Sequence, residues 1–524
     1  MAVSCHHHFD GWSPNHVLNA FKIIDYQINK INIMKNYILK GVLAAMLCMG
    51  MAGCGDSFLD TDYYRGIDVD GGLTSAQNVS IALTGTYNAL FTRYFSGNYA
   101  TMIGDIPTDL SYWNGLTGHW DGLYRYSVVT TDLYLGSIWE YGYKVADYSS
   151  RIIKAGNEIY ADQTPSDQEL LDVCMAEAYG LRAYAYLTLT NVFGHQVKVN
   201  GKDFSSQVGV VISEEPIPAL TQVTRSNVGE CYNQILNDLK RSLEHFNKAG
   251  GDRGDKCYIN VAAVEGLLAR VNLYLENWQD AKTYAQKAIA DGGVSTLTYD
   301  AAAYHNLYNG GGSNTESYFY LDINSSNNWS ANSCGTLWTT YNFSPSPKLQ
   351  AMYGSQDVRT SIMDMGASST PGVPVYAGGK FSHFSSGNPA YATNYLVNAP
   401  EMFLILAEAN LKLNDLNGAK DALLVVAKRN LAITSVADLP ADAAGLYAFL
   451  KDERARELFQ EGLRLWDLRR WGDPAQVEAI GAPAISYTYN NYDISNLVYP
   501  IPEDEINANW GVTQTEGWAA TLPK

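Results

Sequence analysis

Apolar residues recur at three- and four-residue spacing over most of this chain, which predicts a mostly α-helical fold. Periodic stretches fall at roughly 75–94, 131–160, 166–193 and 225–247. In the third of them Leu171, Cys174, Met175, Ala178, Leu181, Ala185 and Leu189 share one face. The pattern breaks in two places. From 97 to 126 and again from 295 to 397 the helical spacing gives way to Gly, Ser, Asn, Thr and Tyr, with Gly310-Gly311-Gly312 and Pro345-Ser346-Pro347 as breakers.

Between and beyond these loops the chain repeats itself. Leu267-Leu268-Ala269 through Ala281-Lys282 matches Ile405-Leu406-Ala407 through Ala419-Lys420 at a constant offset of 138, with Asn272/Asn410, Leu273/Leu411 and Leu275/Leu413 in agreement. Small residues at Ala269 and Ala281 let antiparallel helices approach closely while Leu268 and Leu275 fill the seam, as in a tetratricopeptide hairpin. The aromatic usual at the Asn272 and Asn410 positions is absent. A weaker copy lies at Leu181-Arg182-Ala183-Tyr184-Ala185-Tyr186. The expected architecture is a scaffold of tetratricopeptide-like hairpins within one domain, about 75–524, carrying long loop-rich insertions and a few short strands.

Long insertions on a rigid scaffold are where binding resides. Composition points to the kind of ligand. The chain holds 37 tyrosines and 11 tryptophans, and an aromatic ring with a polar tip suits the C–H face and hydroxyls of a sugar. The candidate ligand residues are therefore Asp109, Trp113, Asn114 and Trp120 in the first loop region, with Tyr304, Trp329, Trp338 and Tyr341 in the second.

Charge narrows the partners. The formal net charge is -18. Residues 1–53 hold four basic and two acidic side chains, which leaves 32 basic against 52 acidic residues, or -20, for the remainder. Nucleic acid is disfavoured, because phosphate binding needs clustered Lys and Arg. HExxH, GxSxG, P-loop and dinucleotide motifs are all missing. Acidic pairs such as Asp105/Asp109 and Asp504/Glu505 are expected by chance among so many carboxylates. The expectation is a binding protein with no catalytic residues, metal or cofactor. Cys174, Cys231, Cys257 and Cys334 show no CxxC or metal-like spacing.

The densest string is Glu453–Gly472, with nine charged residues among Leu458, Phe459, Leu463, Leu465, Trp466, Leu468 and Trp471. On one continuous helix Glu453, Glu457, Glu461, Arg464 and Asp467 would share a face. Stacked glutamates repel by a few tenths of a kcal/mol per pair, so arginines must neutralise them in a partly buried network. That reading is preferred over acid/base or metal machinery.

At the other end, Met34-Lys35-Asn36-Tyr37-Ile38-Leu39-Lys40 and the apolar run 41–52 form a signal-peptide pattern. It closes on Met51-Ala52-Gly53-Cys54, which resembles a lipobox with Cys54 as the lipidated residue. Residues 1–33 are read as an overextended leader, 34–53 as the signal peptide and 54–74 as a lipidated tether.

Together these motifs resemble the SusD/RagB family of surface lipoproteins. The resemblance rests on Glu453, Arg454, Glu457, Glu461, Gly462, Arg464, Asp467, Leu468, Arg470, Trp471 and Gly472, followed by Tyr499-Pro500-Ile501-Pro502 with Glu505, Ile506 and Asn509. Asn191-Val192-Phe193-Gly194 and the segment from Ser346-Pro347-Lys348-Leu349 to Asp357-Val358-Arg359 agree with it. It implies an outer-membrane, lipid-anchored, cell-surface protein that captures an oligosaccharide for a SusC-like TonB-dependent transporter. Alternatives are a RagB-like peptide-uptake protein and, further off, a surface glycoside hydrolase.

Overall fold

The computed structural model describes residues 72–522, apart from 114–116, 342, 364, 367–374, 377, 382–386, 474, 480–484, 488–496 and 509–510. The leader, signal peptide, Cys54 and most of the tether lie outside the described residues. The helices that build the scaffold are α1 (Ala76–Phe91), α2 (Leu133–Ile159), α3 (Pro165–Phe193), α4 (Val228–Lys248), α5 (Val261–Tyr274), α6 (Trp278–Asp291), α7 (Ala399–Lys412), α8 (Leu416–Ala427), α9 (Ala443–Leu458) and α10 (Arg464–Trp471). Starts follow local chemistry. Thr164 caps α3 through its hydroxyl with Pro165 at the first turn, and Asn227 and Glu230 form a reciprocal capping box on α4. Helix α3 packs against α1, α2 and α4, and from Leu171 onward it is buried at nearly every position.

The repeat read in the sequence is a repeat in backbone geometry. Helices α5 and α6 form one hairpin and α7 and α8 the other. Each turns at a left-handed residue, Glu276 (φ 56°) and Asn414 (φ 63°), which are related by the same offset of 138. Asn277 N–H donates to the Asn272 carbonyl at 2.9 Å, and Asp415 N–H to that of Asn410 at 2.8 Å. In the first copy the Asn272 side chain donates to the Leu268 carbonyl at 2.8 Å and accepts from Asn277 at 3.2 Å. An asparagine here braces the turn where an aromatic would fill space.

Small strands tie the loops to this scaffold: β1 (Ser111–Trp113), β2 (Ser317–Leu321), β3 (Phe343–Pro345), β4 (Asn394–Asn398), β5 (Ala475–Ala479) and β6 (Ile485–Tyr487). They pair in the order β6-β5-β1-β3 and as β2-β4. Cys174, Cys231, Cys257 and Cys334 are free. Among the described residues no helix is long and apolar enough to cross a membrane.

One expectation is corrected. Glu453 to Asp467 do not lie along a single helix, because α9 ends at Leu458 and α10 begins at Arg464. Gln460 (φ 68°) and Gly462 (φ 73°) are left-handed between them. Gly462 packs backbone to backbone on the first loop region: its N–H donates to Asp105 Oδ2 at 2.8 Å, and Leu465 N–H to the Gly104 carbonyl at 2.8 Å. A Cβ on Gly462 would run into the Thr101 carbonyl. Gly462→Ala is accordingly expected to cost more than about 2 kcal/mol, from left-handed strain plus overpacking, read as a lowered urea midpoint. Gly85→Ala, inside α1 with open space around it, should instead stabilise by about 0.5–1 kcal/mol. Similar midpoints for the two variants would remove this explanation of the break.

Candidate functional site

Of the glutamates of the C-terminal string, Glu453 and Glu457 are buried and Glu461 is half-buried, and each has a basic partner. Arg359 donates to Glu453 at 2.7 Å, to Glu457 at 3.0 Å and to Asp357 at 2.7 Å. Arg456 donates to Glu453 at 2.6 Å, and Arg429 reaches both Glu457 (3.3 Å) and Glu316. Lys380 donates to Glu461 at 2.6 Å, and Asn398 adds a bond at 2.9 Å. Burial pushes the Glu453 and Glu457 carboxyls up, but Arg359 and Arg456 around the first, and Arg429 and Arg359 around the second, outweigh it and hold both below the usual range. At Glu461 burial wins over Lys380 and the carboxyl is raised. With Glu453 at 1% and Glu457 at 1% exposure, a substrate cannot reach these groups. The network is more deeply buried than the sequence indicated.

The accessible aromatic chemistry lies where the two loop regions meet. Strands β1 and β3 pair antiparallel, with Tyr112 opposite Ser344 and Trp113 opposite Phe343. Ser111 and Trp113 point inward, so the half-buried Tyr112 takes the outer face of β1. Just beyond the strands, the His119 and Tyr341 rings lie face to face, with centroids 3.8 Å apart and planes 30° from parallel. Thr117 Oγ1 donates to the Tyr341 carbonyl at 3.4 Å. Both rings are half-buried. The exposed Arg125 places its guanidinium 4.8 Å from the Trp113 ring centroid and pairs with Asp121 at 2.5 Å. Trp113 Nε1–H is buried and has no acceptor among the described residues. Two features result: the paired His119 and Tyr341 rings beside the Thr117 hydroxyl, and the Arg125–Asp121 pair laid over Trp113.

The predicted ligand residues divide into two groups. Tyr341 is one of the two paired rings. Trp329 is also half-buried, but its indole N–H donates to the Phe91 carbonyl at 3.0 Å and its ring packs on Phe91. The expectation fails for five others, which are core residues with no face to offer. Trp113 packs against Tyr124 and Arg125. Trp120 stacks on Tyr134 with centroids 4.4 Å apart. Trp338, at 0% exposure, lies against Phe459 and Phe343. Tyr304 sits under the Arg429 guanidinium. Asp109 accepts from Arg464 at 2.9 and 2.8 Å and also from Lys348. Burial raises the Asp109 carboxyl, but Arg464 and Lys348 overcome it and bring it down to about 2. Asn114 lies outside the described residues. His119 and Arg125 stand outside the sequence candidates, and Tyr112 lies within the Asp109–Asn114 string without being chosen from it. Tyr112 was findable from strand alternation in Ser111-Tyr112-Trp113; nothing local marked His119.

Comparisons with known proteins agree with this architecture. A model of the SusD family matches residues 375–518, and a related one, described as starch-binding associating with outer membrane, matches residues 58–273. No curated protein matches. The fold is similar to that of a SusD superfamily protein from Bacteroides thetaiotaomicron VPI-5482, at 22% identity and TM-score 0.72 over 84% of this chain and 99% of the other. A SusD superfamily protein from Bacteroides vulgatus ATCC 8482 gives 21% identity and TM-score 0.72 over 85% and 99%. A SusD-like carbohydrate binding protein from the same organism gives 18% identity and TM-score 0.69 over 86% and 98%.

Proposed function

Because this chain belongs to the SusD/RagB family, we propose that it is a carbohydrate-binding outer-membrane lipoprotein that captures an oligosaccharide and hands it to a SusC-like TonB-dependent transporter. Binding without covalent chemistry fits the site, since the carboxylates of the string are sealed in ion pairs. The observation that carries the reading is the stacked, half-buried His119–Tyr341 pair at the β1–β3 junction. A pyranose C–H face packs on such a ring, and the Tyr341 hydroxyl, the His119 ring nitrogens and the neighbouring Thr117 hydroxyl offer hydrogen bonds to its hydroxyls.

Affinity electrophoresis across a polysaccharide panel that includes starch tests it. A ring–sugar contact of about 1–1.5 kcal/mol corresponds to roughly tenfold in affinity, so Tyr341→Ala and His119→Ala should each reduce retention about tenfold on the glycan that binds. Unchanged retention in both variants would place the platform elsewhere. Release of reducing sugar by the purified protein alone would instead make it a hydrolase.

A further inference from the structure

A cavity of about 840 Å³ lies apart from the His119–Tyr341 face, none of whose residues lines it. Its walls are the N-terminal half of α2, the segment 211–223 and the Pro502–Glu505 stretch. The volume is in the range of small-molecule sites. Its floor is aromatic and closed by hydrogen bonds: Trp139 Nε1 donates to Glu505 at 3.0 Å, Tyr143 hydroxyl to the Val211 carbonyl at 3.1 Å, and Tyr186 hydroxyl to the Ser213 carbonyl at 2.8 Å. Leu220 (80% exposed) and Leu133 (66%) stand at the rim.

The charge is one-sided. Among the described residues, seven carboxylates line the cavity and no Lys or Arg does. Two of the seven are matched by neighbours, Glu140 by Lys144 at 2.5 Å and Asp147 by Arg151 at 2.7 Å. Asp132 caps α2 through the Tyr134 and Leu135 amides, and Glu503 accepts from Thr130. Among the described residues, Asp132, Glu215, Glu503, Asp504 and Glu505 have no ion-pair partner. Two arginines lie behind the wall without lining it: Arg182 is spent on Asp238 and also donates to the Ser150 hydroxyl and the Glu214 carbonyl, and Arg225 is spent on the Gly209, Phe193 and Thr513 carbonyls and the Thr515 hydroxyl.

A concave site with an aromatic floor, apolar rim and uncompensated carboxylates matches an ammonium group on an apolar body. Its charge meets Glu215 and the Glu503–Glu505 edge, and its stem lies on Trp139 and Tyr143. We propose that this cavity binds an alkylammonium ligand, a site separate from the sugar-binding face. The same chemistry is offered by a free amine and by a lysine side chain.

Dansyl-pentylamine is the probe, titrated against the full mature chain at low salt, with its fluorescence rise as the readout. Saturable binding is expected, weakened at least tenfold in Glu215→Gln/Asp504→Asn, both exposed acids without a structural partner. Asp162→Asn/Glu169→Gln removes equal charge from the far end of α2 and the start of α3, and should leave binding within twofold of the parent. Equal loss in the two double variants would mean unspecific attraction to an acidic surface and overturn the proposal. So would no saturation, or equal binding of the dansyl-pentanol analogue. Displacement by spermidine then identifies a free-amine site, and displacement only by an end-blocked Leu-Lys-Leu peptide a lysine site.

Discussion

Arg359→Met should be the most damaging single substitution outside the glycine contacts, lowering stability by about 3–5 kcal/mol or preventing folding. Arg359 is 1% exposed and serves three carboxylates at once, Asp357, Glu453 and Glu457. Its removal leaves Asp357 with no cation and deprives the two glutamates of one each, in a place water does not reach. Breaking a buried pair by deleting one partner typically costs about 3–5 kcal/mol, because the surviving charge is stranded. Arg359→Met/Glu453→Gln/Asp357→Asn removes most of the stranded charge and should recover part of the loss. Lys144→Met, at an exposed i,i+4 pair with Glu140, should change stability by no more than about 0.5 kcal/mol, so the urea midpoint hardly moves. Comparable midpoints for Arg359→Met and Lys144→Met would show that the network is ornamental to stability.

The network also explains why so much of the scaffold could be read from the chain. Each string that stood out in the sequence is joined to another by an arginine. Arg464 of the C-terminal string holds Asp109 of the first loop region. Arg469 donates to the carbonyls of Asn191, Gly194 and Leu497, so it clamps the end of α3 to the start of the Tyr499-Pro500 segment. Arg359, next to the Ser346–Leu349 stretch, closes on Glu453 and Glu457. Arg470 takes Glu408 of the second hairpin at 2.7 and 2.8 Å while also holding Asp467. Residues that must meet in such a lattice are restricted in type, and that restriction leaves a visible motif. The helices were legible for the usual reason, their apolar period.

The site was harder to read. A loop tryptophan looks the same in sequence whether it stacks on Tyr134, as Trp120 does, or faces solvent; only tertiary packing decides. The large rings of both loop regions fill the space between α1, α2 and the C-terminal string, because loops this long need a core of their own. The rings left outside, Tyr341, His119 and Tyr112, are less conspicuous types, brought together by a three-residue strand pairing across more than 200 positions. The break at Gly462 was missed for a related reason. Its left-handed turn is dictated by the backbone of Gly104, a contact that no local pattern announces.

That same contact creates the second large effect. Asp105→Asn should stabilise the protein at alkaline pH. Burial pushes the Asp105 carboxyl from the usual carboxylate range up to about 7, and Glu461 nearby adds to the rise, while the Gly462 amide and Lys380 oppose it. Asp105 Oδ2 accepts from Gly462 N–H, but Oδ1 is buried with no side-chain or backbone partner among the described residues. Below the ordinary carboxylate range both folded and unfolded chains hold this proton, and its contribution to stability is fully present. As pH rises toward 7 the unfolded chain ionises and the folded one does not, so that contribution is lost at about 1.4 kcal/mol per unit until the folded group titrates as well. The accumulated loss above pH 7 is about 4 kcal/mol. Asparagine keeps an acceptor for Gly462 and never ionises. Urea midpoints at pH 5, 6.5 and 8 should therefore diverge, the variant gaining on the parent at each step. Glu177, also raised to about 7 because burial outweighs Arg253 and the Tyr87 hydroxyl, leaves a residual slope of the same sign in both proteins. Parallel profiles for variant and parent would mean that Asp105 is already ionised in the folded chain, with its charge met by Lys380 across Glu461.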